Sequence, residues 1–220
     1  ALAQVAALMD GHLHWHPVNT SVPAAVFAER FDPDRLWAKA VPVRLADSEA
    51  LMLSPEHLIV YLCEHALRVG HSFDRLSLLC DIFFVVRAFQ NRLDWVFVAE
   101  ESRRFGLERF VYTGLTIVKH YTGLPDISGD WLEKLGMPDM SWGEKIFLNL
   151  QRNHRRLRGS SYLLHLSMQQ GAAAKIHFVF RTFFPPSSIL LQRRHENGIN
   201  PLRSGYASRL WEVFSNIGIF

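Results

Sequence analysis

From Ser54 onward, apolar residues recur at the spacing of an α-helix, and this pattern restricts the chain to a mainly α fold. Ser54 is a favourable N-cap residue and Pro55 suits a first helical turn, so a helix is predicted to begin there. Its inward-facing stripe ends before Gly70 and comprises Leu58, Tyr61, Leu62, Ala66 and Val69. Because similar stripes follow along most of the remaining chain, we expect a helical bundle.

Further helices are predicted from the same kind of spacing. The second presents on one face Leu76, Leu79, Cys80, Phe83 and Phe84. The others are expected over residues 94–105, 107–121, 141–157, 160–170 and 172–183, with a final short helix at 207–214. The turn-forming residues 123–130 separate two groups of these helices and are the candidate for a subdomain break.

The first 53 residues follow a different pattern, which predicts a small β-element. The run from His12 to His16 alternates around Leu13 and Trp15 as a strand would, and Pro17 ends it.

A short helix and a hairpin are expected between that strand and the helical part. Asp32 is predicted to cap the short helix, and residues 41–45 and 50–53 to form two short strands. We therefore divide the chain into an N-terminal α/β region, residues 1–53, and a helical domain, residues 54–220. The predicted fold class is mainly α (α+β), a helical bundle with a small N-terminal β-element.

The composition indicates an ordinary globular protein. Apolar residues make up 49% and charged residues 20% of the chain, which does not fit a disordered one. No apolar stretch reaches the roughly 20 residues that a membrane-spanning helix needs. Cys63 and Cys80 lie in helical patterns and are predicted to be free thiols, which favours a reducing cytoplasm.

The common self-sufficient catalytic motifs are absent from the sequence. It contains no GxxxxGK[ST] phosphate loop, no GxGxxG after a strand and no GxSxG nucleophile elbow. Asp32 and Asp34 form an acidic pair, but they lie at a predicted helix start, where capping explains them. The sequence therefore predicts no complete catalytic centre.

Charge is distributed unevenly along the chain. From Leu150 onward there are ten Lys and Arg residues against two acidic residues, whereas the first 149 residues hold fourteen basic and nineteen acidic residues. Four of the arginines occur within seven positions, Arg152, Arg155, Arg156 and Arg158. This basic third could dock on the acidic remainder, form plain surface or contact phosphate. Since no nucleic-acid-binding signature accompanies it, nucleic acid is the less favoured partner.

The first candidate site is the histidine-rich strand. On alternating backbone His12, His14 and His16 share one face with Asp10, and such side chains can bind a metal ion or a phosphate. Alternate residues of one strand are about 7 Å apart, which disfavours chelation by all three imidazoles. The structural alternative is a partly buried strand with local hydrogen bonds.

The second candidate site lies where the first two long helices meet. His65 is on the inward stripe of its helix, and Asp81 follows on an otherwise apolar helix. Buried polar groups need partners, so we expect His65 or His71 to pair with Asp81, and Arg75 to pair with Glu64 or Asp74. Such a network either ties the two helices together or lines a nucleotide or phosphate pocket.

The order of several short segments along the chain indicates a resemblance to a known family. They are His14-Trp15 at the end of a strand, 31–37, 42–45, 53–58, Tyr61-Leu62 with His65, 71–81, Asp94-Trp95 and 181–185. In this order they resemble the bacterial uncharacterised nucleotidyltransferase-like proteins of the polymerase-β, or minimal nucleotidyltransferase, superfamily. The resemblance extends over nearly the whole chain.

The resemblance implies nucleotidyl transfer from a nucleoside triphosphate to an acceptor with the help of Mg²⁺. It also implies that the family's metal-binding Asp-x-Asp pair lies before Ala1, so that this chain is the later part of the family's sequence. The third family carboxylate, two residues before the His-Trp pair, corresponds to His12, with Asp10 as the candidate substitute. The resemblance thus makes Asp10 and His12 the catalytic candidates and Asp10 the candidate metal ligand.

Two functions remain open from the sequence. The first is the helical portion of a nucleotidyltransferase-like protein, which closes over the nucleotide or acceptor. The sequence leaves open whether the chain is part of an active enzyme or an inactive relative. Its candidate substrate- or phosphate-binding residues are His14, His65, His71, Arg75 and Asp81. The alternative is a non-enzymatic helical interaction module that uses the basic C-terminal third to bind a protein or nucleic-acid partner.

Overall fold

The computed structural model describes residues 32–68, 76–124, 140–153, 160–169 and 171–184. Within these ranges helices predominate, and the two strands form one antiparallel sheet. The predicted fold class, mainly α with a small β-element, is therefore confirmed.

The described part of the chain begins with a short helix and a hairpin. Their bounds are α1 Pro33–Ala38, β1 Val41–Leu45 and β2 Ser48–Met52. As predicted, Asp32 caps α1, and its carboxylate accepts a hydrogen bond from the backbone N–H of Asp34 at 3.0 Å. The strands are antiparallel, with Val43 opposite Ala50. Buried Leu36 attaches α1 to the helical core.

Two long helices follow, α2 at Pro55–Leu67 and α3 at Leu76–Phe89. Ser54 caps α2 as predicted and accepts a hydrogen bond from the His57 N–H. The expected continuation to Gly70 is wrong. Arg68 already has extended backbone, with ψ 146°, and its guanidinium turns back to Glu64.

The next pair of helices confirms the predicted boundaries closely. They are α4 at Trp95–Phe105, capped by Asp94, and α5 at Glu108–Thr122. Gly106 and Gly123 end them in left-handed backbone, which glycine adopts without strain. Helix α2 packs against α3, α4 and α5, so it is the central element of this group.

The contact between α2 and α5 is unusually close. A methyl group on Gly114 would lie 2.9 Å from the Sγ of Cys63, so glycine lets the two helices approach. The predicted free thiols are also confirmed, since Cys63 is buried, Cys80 is half-buried and neither forms a disulfide.

The last three described helices are α6 at Trp142–Arg152, α7 at Ser160–Met168 and α8 at Gly171–Phe183. Helix α6 packs against α5 and α7, and α8 packs mainly on α7. The predicted extension of α6 to Leu157 is wrong, because the helix ends at Arg152 with Asn153 as its C-cap. The Asn153 amide caps the helix end by donating to the Asn149 carbonyl at 2.8 Å.

Three sequence predictions lie wholly or mostly outside the residues that the structure describes. They are the strand at 12–16, most of the proposed break at 123–130 and the final helix at 207–214. The division of the chain between residues 53 and 54 stays a prediction. Among the described helices, none has the length and apolar character to cross a membrane.

Candidate functional site

Five of the seven site residues predicted from the sequence lie outside the described residues. They are Asp10, His12, His14, His71 and Arg75. The structure places the other two on neighbouring helices that pack together, His65 on α2 and Asp81 on α3.

His65 belongs to a polar group at the C-terminal end of α2, which we call the α2 polar end and define as Tyr61, Glu64, His65 and Arg68. The rings of Tyr61 and His65 stack with their centroids 5.7 Å apart. Glu64 and Arg68 form an ion pair in which Nη2 lies 2.6 Å from Oε2. Both contacts join residues four positions apart, which lie on the same side of a helix.

The α2 polar end is partly shielded from water. Glu64 and Arg68 are buried, while Tyr61 and His65 are half-buried. Burial raises the pKa of the Tyr61 hydroxyl, although the Arg68 guanidinium acts in the opposite direction. This end of the helix thus carries both a stacked pair of rings and a buried ion pair.

The cation paired with Glu64 differs from the one predicted from the sequence. The predicted contact with Arg75 lies outside the described residues, and Arg68 supplies a cation that the prediction did not include. The i,i+4 spacing of Glu64 and Arg68 was the available signal, since a Glu four residues before an Arg favours such a pair.

The exposure of Asp81 differs from the prediction, which was a buried carboxylate. Its side chain is exposed, so the predicted cost of an unpaired buried charge does not arise and that part of the prediction is wrong. Partial desolvation still raises the pKa of the Asp81 carboxyl. Asp81 forms no hydrogen bond or ion pair with another residue that the structure describes, so no described bond joins it to His65.

One buried carboxylate, which contacts the N-terminal part of α2 from α4, was not identified from the sequence. Glu101 on α4 is buried and accepts hydrogen bonds from Arg35 Nε, which lies 2.8 Å from each carboxylate oxygen. His57 Nε2 lies 3.0 Å from Oε2, and Arg104 Nε lies 3.4 Å from Oε1. The Glu101 cluster, defined as these four residues, joins α1, α2 and α4.

The Glu101 cluster keeps its carboxylate ionised. Burial by itself would raise the pKa of Glu101, but the hydrogen bonds from Arg35 and His57 outweigh burial and leave it lowered. Because Arg35 and His57 occupy its oxygens, Glu101 anchors the N-terminal part of α2 rather than offering a free ligand. Glu101 lies on the same helical stripe as buried Val98 and Phe105. A charged residue within an apolar stripe was the sequence pattern that could have predicted this buried carboxylate.

The family to which this chain belongs is shown by its sequence. The family profile of uncharacterised nucleotidyltransferases matches residues 12–123, just over half of the 220-residue chain. The chain belongs to this family. No curated protein and no solved structure matches it.

The match confirms the family that the ordered segments predicted, although the predicted segment 181–185 lies beyond the matched residues. It includes α1 to α5, and therefore both the α2 polar end and the Glu101 cluster. Helices α6 to α8 lie beyond the matched residues. Both polar clusters thus lie within the family-matched region, whereas the last three described helices lie outside it.

The described residues do not provide a site for the Mg²⁺ that the resemblance implies. Within the described ranges no group of three or more His, Cys, Asp or Glu side chains could hold a metal ion. The candidate ligand Asp10 lies outside those ranges. We therefore assign no metal ligand and no metal-dependent step to the described helices.

His165 on α7 ties the helices outside the family match to α2. Its ring is buried beside Phe110 and Phe178, and Nε2 donates a hydrogen bond to the Leu67 carbonyl at 3.2 Å. Burial lowers the pKa of His165 to about 4, and the hydrogen bond to the carbonyl opposes this only in part. The ring is therefore neutral in the folded protein near pH 7.

This lowered pKa predicts acid destabilisation. Between about pH 6.5 and pH 4 the unfolded chain binds a proton at His165 that the folded chain does not, so stability falls as the pH falls. We expect His165 to contribute about 2 to 3 kcal/mol of this loss, given about 1.4 kcal/mol for each unit of pKa difference. Urea unfolding at pH 7 and pH 4.5 should show a smaller pH effect in His165→Gln than in wild type. His120→Gln, a change at an exposed histidine, should keep the wild-type effect.

Proposed function

We propose that this chain is the helical portion of a nucleotidyltransferase-family protein, which closes over the nucleoside triphosphate or the acceptor. The observation that carries the proposal is the family match over residues 12–123, which includes the α2 polar end. The described helices then act by binding and closure, because the described residues supply no metal-binding carboxylate set. Their free thiols fit a reducing cytoplasm, which we propose as the location.

The α2 polar end has the chemistry that such a role requires. The half-buried rings of Tyr61 and His65 offer a stacking surface and an imidazole that can donate to a phosphate oxygen. The Glu64–Arg68 ion pair fixes the helix end that carries these rings. We propose His65 as the substrate contact among the described residues, with Tyr61 holding its ring in place.

The remaining predicted residues have roles within the same proposal. His71 and Arg75 follow the α2 polar end in the sequence, and we propose them as further phosphate-binding residues. Asp81 on α3 would position a hydroxyl or an amino group of the substrate. Asp10, His12 and His14 remain the proposed contacts on the strand predicted before α1, where the resemblance implies catalytic chemistry.

Nucleotide binding can be tested by thermal unfolding of the whole chain with ATP, CTP, GTP or UTP in the presence of Mg²⁺. A nucleotide present at about a hundred times its Kd stabilises the folded state by about 2.7 kcal/mol. For a chain of this size we expect a rise in Tm of about 5 to 10 °C with at least one nucleotide. His65→Asn should abolish most of the rise.

His120→Asn is the matched control for that experiment. His120 is exposed near the end of α5 and lies apart from the α2 polar end along the chain, so its variant should respond to nucleotide as wild type does. Failure of all four nucleotides to raise the Tm of wild type would contradict the proposal. That result would favour the alternative, an interaction module that uses the basic C-terminal third.

A further inference from the structure

Helix α8 exposes large apolar side chains to solvent. Ile176 is 69% exposed and Phe180 is 57% exposed, whereas Phe178 is buried with its ring stacked against His165 of α7. Single exposed apolar residues are common on proteins, but a contiguous set of them marks a binding surface. The exposed face of α8 is such a set.

This face borders an open groove of about 480 Å³ between α8 and the two preceding helices. Its walls are almost wholly apolar. The α8 groove is defined by Trp142, Leu166, Ile176, Val179, Phe180 and Phe184. A concave apolar groove of this kind takes up the protruding side chains of an amphipathic helix.

The sequence predicts an amphipathic helix further along the same chain. Apolar residues recur at positions i, i+4, i+7, i+8 and i+11 of one segment, namely Tyr206, Leu210, Val213, Phe214 and Ile217. This spacing puts all five on one face of a helix, with polar residues such as Ser208 and Glu212 on the other. The segment therefore offers bulky side chains at the spacing that a groove-binding helix uses.

The connection between groove and segment favours this occupant over a diffusing partner. The described chain leaves at Phe184, which itself lines the groove, and Pro185-Pro186 follows directly. Residues 185–205 can span up to about 70 Å when extended and about 25 Å as a flexible linker. A tether of this length gives an effective concentration in the millimolar range.

We propose that residues 206–217 form an amphipathic helix that docks in the α8 groove of the same molecule. The interaction is independent of the proposed nucleotidyltransferase role, because the groove lies beyond the family-matched residues. It covers the exposed apolar side chains of α8 and gives α6 to α8 a fourth helix to pack against.

Amide hydrogen exchange on the whole chain tests the proposal from the groove side. Ile176→Asp places a charge in the groove, and it opens no cavity in the core because Ile176 is largely exposed. We expect amides of residues 208–217 to exchange at least tenfold faster in this variant than in wild type. His177→Asp puts the same charge at an exposed position of α8 that does not line the groove, and it should leave that exchange unchanged.

The reciprocal variant tests the proposal from the segment. Leu210→Asp should speed exchange in α8, whereas Ser208→Asp, on the predicted polar face, should not. The Leu210→Asp and Ser208→Asp variants test docking even if Ile176→Asp disturbs α8 itself, because residues 208 and 210 lie outside that helix.

Three results would overturn the proposal. The first is exchange of residues 208–217 at the rate of an unstructured peptide in wild type. The second is a concentration-dependent dimer that Ile176→Asp dissociates, which would make a second copy the occupant. The third is binding to phosphatidylglycerol vesicles that Ile176→Asp abolishes while the exchange of residues 208–217 stays unchanged, which would make a lipid surface the occupant.

Discussion

Replacement of Glu101 by alanine is expected to lower the free energy of unfolding by about 3 to 4 kcal/mol at pH 7. Glu101 is 1% exposed and accepts hydrogen bonds from Arg35 and His57. Its loss leaves the His57 ring buried without its partner, because that ring is also almost fully buried. An unsatisfied buried donor costs about 1 to 3 kcal/mol by itself.

The cations around Glu101 limit the size of the effect. Arg35 is partly exposed and Arg104 is largely exposed, so both can return to water when the carboxylate is removed. The buried His57 ring cannot reach water in the same way. We therefore assign most of the expected loss of unfolding free energy to the contact between α2 and α4.

Urea denaturation of Glu101→Ala, Glu101→Gln and Glu100→Ala would measure this effect. Glu100 is the exposed neighbour on α4, and its replacement should change stability by no more than about 0.5 kcal/mol. Because the pKa of Glu101 is lowered, its contribution should be complete at pH 7 and should fade as the pH drops through the acidic range. A Glu101→Ala variant as stable as Glu100→Ala would show that the cluster does not hold α1, α2 and α4 together.

Helix starts were predictable from the sequence because their signals are local. Ser54, Asp94 and Ser141 each cap a helix at the expected position, since a short polar side chain satisfies the N–H groups of the turn that follows. Helix ends were less predictable. Helix α2 ends at Leu67 because Arg68 adopts extended backbone, and neither residue is a glycine or proline that would have predicted this helix end.

The polar clusters depend on residues far apart in the sequence. Arg35 and Glu101 are separated by 66 positions and His57 and Glu101 by 44, so their convergence follows from the packing of α1, α2 and α4. No periodicity within one helix can give that information. The family resemblance was predictable, because it depends on the order of short segments rather than on contacts between them.

Glu144 is expected to join the helices outside the family match to those within it. It is fully buried on α6 and pairs with Arg109 of α5. Its Oε2 also accepts from the Ser141 N–H at 2.7 Å, while the Ser141 hydroxyl oxygen accepts from the Glu144 N–H at 3.3 Å. One side chain thus completes the N-terminal capping box of α6 and anchors α6 to α5.

Replacement of Glu144 by alanine is therefore expected to cost about 3 kcal/mol, from a broken ion pair and a lost helix cap. The loss of stability should be larger in α6, α7 and α8 than in α2, because α6 packs against both α5 and α7, and α8 packs on α7. Native-state hydrogen exchange should show α6, α7 and α8 exchanging about a hundredfold faster, with a smaller change in α2. Lys145→Ala, at the exposed next position, is the control. An equal loss of protection in α2 and α6 would mean that the matched and unmatched helices unfold as one cooperative unit.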